Sequence, residues 1–321
     1  MAAMTTTQVA ALSTTQVAAL TTVQMAALTA NEVKTFSTTQ VQALGSTQIN
    51  ALTNANVSAL TTGQVAALTT GQVNALTTSA VSALGTAQVQ ALSTGQVQAI
   101  TTTNVTALST TQVAALTTGQ VSALSTSQVV ALETSDIAAL STTQVGALTT
   151  AQVNVLSTDK VAALSTGQVA VLTTAQVQAL TTSNVASLST SQLQVLSTDQ
   201  VAAFSTAQVS ALTTTEAATL SAGQARALTT AQVQVLNTSN LQALKLASVE
   251  AMTSTQLQVL STTQLNALET EDFASLTDTQ IKALTTAQVQ ALTTSAITSL
   301  SGDQVSKFTT AQVAVVTTTN V

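Results

Sequence analysis

The chain has no cysteine, histidine, proline, tryptophan or tyrosine, and only four phenylalanines among its 321 residues. Without cysteine it has neither disulfides nor thiolate metal sites, and the redox compartment is left open. Ser and Thr hydroxyls abound, but with no histidine or cysteine they lack the usual base, so an enzyme is not expected. Charge is also scarce: six basic and twelve acidic side chains give a net charge of −6, and none lies between Lys34 and Glu133. With no basic patch and no aromatic platform, nucleic acid is not an expected partner. Apolar runs such as "VAAL" stop after four residues, far short of the roughly 20 a spanning helix needs. No membrane span is expected, and no signal-peptide pattern follows the opening "MAAM".

What the chain does have is repetition. From Thr5 the phrase Ser/Thr-Thr-x-Gln-Val-x-Ala-Leu recurs every eight residues through Val316, giving 39 octads in unbroken register. No composition shift or linker interrupts it, so residues 1–321 read as one octad-repeat solenoid without an internal boundary. A single long helix fails as an account. Eight residues overshoot two helical turns by about 80°, so the apolar stripe would circle the axis within about five octads.

A string of very short helices fits better. With the recurrent Leu numbered eighth, the first position is mostly Ser or Thr and the fourth is Gln in 27 of the 39 octads. Ser/Thr-x-x-Gln is a capping box, in which hydroxyl and amide satisfy free backbone N–H groups reciprocally. Leu12 and Val17 would flank such a box as a hydrophobic staple. Charge sorts the same way: eleven of the twelve acids occupy the first four positions, and four of the six bases the sixth or seventh, as a helix dipole favours. The competing architecture is a β-solenoid with eight-residue sides, which Thr and Val favour and Ala-Leu endings do not. Helices this short are marginal alone, so each octad must share its apolar face with its neighbours, as in a solenoid.

The octads without Gln at the fourth position are regularly placed. They carry Glu32, Asn56, Ala80, Asn104, Asp136, Lys160, Asn184, Glu216, Asn240, Asp272, Ala296 and Asn320, with Ser248 as the one addition. Their spacings mix threes and fours, and 36 octads over 11 intervals give about 3.3 octads per turn. The expectation is an all-α solenoid with these residues along one ridge, either a more solvated edge or a surface for lateral or ligand contact. Ten of the eighteen charged residues lie in the octads of this series. The densest acidic group, Glu269, Glu271, Asp272 and Asp278, reads as solvated helix N-termini or as a weak divalent-cation site. All four phenylalanines take Leu or Val positions and are expected in the core.

The chain ends on the fifth position of an octad, and Ala2, Ala3 and Met4 fit the last three positions of one. A second copy placed after Val321 would complete the broken octad. The partner expected is therefore the protein itself, stacked head to tail through Ala2, Ala3, Met4, Asn320 and Val321 into an open filament.

Units such as "LTTAQVQAL" and "LSTTQVAAL" resemble octad arrays of large bacterial surface proteins that are often labelled adhesion or haem-utilisation proteins. The resemblance covers essentially the whole chain. It implies an extracellular or cell-surface location, and either a filament or sheath or an adhesin stalk or spacer with a binding role. Haem does not carry over, because no His, Cys or Tyr is present to ligate iron; no cofactor is expected.

Overall fold

Each octad begins its helix with its own side chains. In the octad Ser125–Leu132, Ser125 Oγ accepts from the Gln128 N–H at 3.2 Å, while Gln128 Oε1 accepts from the Ser125 N–H at 2.8 Å. Two of the N–H groups that a helix start leaves unpaired are thereby satisfied. The helix then runs only from Thr126 to Ala131. It stops because Leu132 and the next N-cap, Glu133, both take extended backbone, with ψ of 146° and 163°. No glycine cap is involved: among the described residues none has positive φ.

The computed structural model describes residues 4–317. Over that span the chain forms 39 helices of four to six residues, one per octad, from α1 (Thr6–Ala10) to α39 (Thr310–Val313), and no strand among the described residues. The all-α solenoid of short capped helices is the observed architecture, and the β-solenoid is excluded.

The helices fall into two compact units, Met1–Leu164 and Ser165–Val321. In each, a helix packs on the third helix after it. In the first unit α2 (Thr14–Ala18), α5 (Thr38–Ala43), α8 (Thr62–Ala67), α11 (Thr86–Ala91) and α14 (Thr110–Ala114) form one such column. In the second, α22 (Thr174–Ala179), α25 (Thr198–Ala202), α28 (Ala222–Ala227), α31 (Leu246–Glu250) and α34 (Thr270–Ser275) form another.

The core is made by two positions of the octad. Fifth-position residues from Val9 to Val289 are at most 2% exposed, and eighth-position residues from Leu28 to Leu300 at most 8%. Burying each such side chain stabilises by about 1.5–3 kcal/mol. Phe36, Phe204 and Phe273 are buried as expected, and Phe308 is half-buried near the last described turn.

Candidate functional site

The fourth-position residue does more than cap its helix. In the first unit Gln128 Nε2 donates to the main-chain carbonyls of Val97 at 2.8 Å and Ile100 at 2.7 Å, 31 and 28 residues back. In the second, Gln288 Nε2 donates to Leu257 O at 2.9 Å and Leu260 O at 2.8 Å. Each carboxamide therefore spends its oxygen on its own helix start and its nitrogen on the turn before. The carbonyls lie four octads back, whereas helices stack on the third. A turn thus takes more than three and fewer than four octads, which brackets the 3.3 read from the spacings.

A second ladder runs the other way. Sixth-position Asn or Ser donates to a seventh-position carbonyl 25 residues ahead: Asn50 to Ala75 O at 2.6 Å, Ser82 to Ala107 O at 2.7 Å and Asn266 to Ala291 O at 2.6 Å. Sequence reasoning missed it because Gln, Ala and Val fill the same position elsewhere, so no periodic signal marks it.

The Gln-lacking series is not a solvated edge. Its described members are all buried, from Asn240 at 1% exposed to Lys160 at 8%. The correction follows from geometry: the third helical residue folds its side chain back over its own N-cap and under the preceding turn. Lateral contacts along this ridge would therefore have to come from exposed neighbours. Four members, Glu32, Asn56, Ala80 and Asn104, lie on α4 (Ala30–Lys34), α7 (Asn54–Ala59), α10 (Thr78–Ser82) and α13 (Thr102–Val105), which stack in that order as every third helix does; α17 (Thr134–Ala139), which carries Asp136, packs on α14 instead. Asn56, Asn104 and Asn240 donate to Leu28, Leu76 and Leu212 carbonyls at 2.9, 2.6 and 2.8 Å. Asn is one methylene shorter than Gln, and these three make the bond to the earlier turn without the bond to their own N-cap N–H that completes the box in the Gln octads. Asn320, like Ala2, Ala3 and Val321 of the expected end-to-end interface, lies outside the described residues; Met4 is half-buried.

Charged members of the series adapt differently. Lys160 Nζ donates to Val130 O at 2.7 Å and Val129 O at 3.3 Å. Burial pushes its pKa down, against the opposing pull of Asp136. Burial also pushes Asp272 up, with Glu269, Glu271 and Glu250 adding to the effect and the Glu269 N–H opposing it. Glu269, Glu271, Asp272 and Asp278 do not converge as a divalent site: among the described residues no group of three acidic side chains could hold a metal ion. No helix is long and apolar enough to cross a membrane among the described residues.

A raised carboxyl makes a signed prediction. Folded Asp272 keeps its proton to higher pH than the unfolded chain, whose value is near 3.8. Between 3.8 and the folded value the native state binds more protons, so stability falls as pH rises across that window. Thermal melts from pH 3 upward should show this slope, and Asp272→Asn should flatten it. An unchanged slope would mean that Asp272 does not titrate as its burial demands.

The family model described as the ALTTAQ repeat matches residues 1–30, 31–62, 50–78, 65–102, 94–126, 129–166, 161–190, 182–214 and 265–302. The chain belongs to the ALTTAQ repeat family. No curated protein matches it. Each ALTTAQ match spans about four octads, the distance over which a fourth-position amide reaches back to its carbonyls. The stretch 215–264, outside these matches, contains Ala217 and Ala225 in place of Val and the aberrant octad "KLASVEAM".

Proposed function

We propose that this ALTTAQ solenoid is a structural protein that stacks head to tail into a filament or sheath outside the cell. The observation that carries this reading is the complementarity of its first and last described turns. Fifth-position residues are at most 2% exposed from Val9 to Val289, yet Val305 is 41% and Val313 57% exposed. The carbonyls of Leu300 and Phe308 in the same region receive no amide from a later turn among the described residues. At the other extreme, Gln8 and Gln16 are exposed, and their oxygens cap their own helices.

One face therefore offers amide donors, with Leu12 and Leu20 half-exposed beside them. The other offers carbonyl acceptors with bare valines. A second copy would rebuild across the junction the same pairing that joins successive turns inside each unit. Because the two surfaces differ, the contact is heterologous and propagates. The extracellular placement rests on the resemblance to bacterial surface proteins, and surface labelling of intact cells tests it.

Electron microscopy of purified protein over a concentration series should show rods lengthening with concentration. Val305→Asp with Val313→Asp places charge in the contact and should shift assembly to at least about tenfold higher concentration, on the scale of 1–3 kcal/mol per unpaired buried group. Particles of one constant length, with sedimentation unaltered by the substitutions, would refute end-to-end assembly.

A further inference from the structure

Fourth-position side chains that bond the preceding turn bring it a hydrogen or a positive charge. Gln and Asn bring N–H, Ser248 brings its hydroxyl to Leu220 O at 2.8 Å, and Lys160 brings an ammonium to two carbonyls. Glu216 does not. It is 3% exposed, and its Oε2 is occupied by the N–H and Oγ1 of Thr213 at 2.6 and 2.8 Å. Its Oε1 is buried with no hydrogen-bond partner.

The register on either side indicates which carbonyls this fourth position addresses. Gln208 donates to Val177 and Leu180 carbonyls, and Gln224 to Leu193 and Leu196 carbonyls, at offsets of 31 and 28. The same offsets from Glu216 fall on Val185 and Leu188. An acceptor oxygen thus stands where its neighbours place a donor, opposite carbonyl oxygens that also only accept. We propose that this slot binds a monovalent cation of about ammonium size, held by Glu216 Oε1 and the main-chain carbonyls of Val185 and Leu188.

Three further observations support the assignment. Lys160 places its Nζ in the corresponding region, bonded to main-chain carbonyls 30 and 31 residues back at 2.7 and 3.3 Å. A carboxylate at Glu216 would be balanced by a single positive charge. The helices packed on α27 (Thr214–Ala217) are α24 (Thr190–Gln194) and α30 (Thr238–Ala243), and their octads carry no charged residue. An unpaired buried carboxylate is strongly unfavourable, and a divalent ion would leave an excess positive charge instead. An all-oxygen donor set suits a hard cation, and carbonyl oxygens can replace the hydration shell of potassium.

The test is thermal unfolding of the full chain at neutral pH in potassium chloride against tetramethylammonium chloride at equal ionic strength, the second cation being too large for the slot. The native chain should show a rise in midpoint of several degrees that saturates with potassium, as binding to the folded state alone requires. Glu216→Gln, which supplies its own donor, and Glu216→Lys, which supplies a tethered ammonium as at Lys160, should melt at the same temperature in both salts. A native chain indifferent to potassium overturns the proposal, as does an equal response in all three proteins. Stabilisation by acid alone, with no response to potassium, gives the slot to a proton and overturns it too.

Discussion

A single alanine inserted between Leu116 and Thr117 is expected to abolish cooperative folding of the first unit, while insertion of a complete octad at the same point is expected to be tolerated. The difference lies in what crosses the insertion. Gln120 donates back to Val89 and Leu92, Gln128 to Val97 and Ile100, and Gln144 to Leu116. One extra residue displaces each of these donors from its carbonyls and turns fifth-position side chains away from the core. Each buried polar group left unpaired costs about 1–3 kcal/mol, and several such losses approach the 5–15 kcal/mol of stability typical of a domain. An added octad restores every pairing with an equivalent partner, shifting only the phase of the Gln-lacking column. Circular dichroism melts and amide exchange of Gln120 and Gln128 would measure the contrast. Equal tolerance of both insertions would mean that the inter-turn bonds do not set the register.

The second large effect depends on where the same residue sits. Gln128→Ala removes the acceptor for Ser125 N–H and the donor to two carbonyls, at a position 2% exposed. The expected loss is about 3–5 kcal/mol, from several buried groups left unpaired at about 1–3 kcal/mol each. Gln16→Ala removes only a cap bond, Ser13 N–H to Gln16 Oε1 at 2.8 Å, at an exposed position, and should cost about 1 kcal/mol or less. Gln128→Glu keeps the cap and loses the bridge, so it separates the two contributions. Denaturant melts of the three variants give the comparison. If Gln16→Ala and Gln128→Ala cost the same, capping alone explains the recurrent Gln, and the bonds between turns contribute nothing measurable.

The local half of the site was legible because capping is a matter of spacing. Ser or Thr three residues before Gln announces a helix start whatever surrounds it, and Thr29 and Glu32 realise the same box with a carboxylate. The pitch was legible too, through the Gln-lacking octads, because the chain must return to the same side of the axis after each turn. The environment of those octads was not. A cluster of Asn, Asp, Glu and Lys suggests solvent, yet Asn56, Asp136 and Glu216 are among the most buried polar side chains of the molecule. Polarity reports what a side chain can bond, and in these octads the partners are main-chain atoms rather than water.

The sequence by itself determined the eight-residue element, its start, its end, its apolar face and the approximate number of elements per turn. All of these follow from contacts within one octad or from the phase of a repeat. Only the tertiary structure decided the second duty of Gln, because its nitrogen bonds to carbonyls 28–31 residues away. Every residue carries such a carbonyl, so nothing in the letters marks which ones are met. The same holds for the sixth-position ladder and for the unpartnered oxygen of Glu216: a main-chain partner has no sequence signature, and only the stacking of one turn on the next selects it.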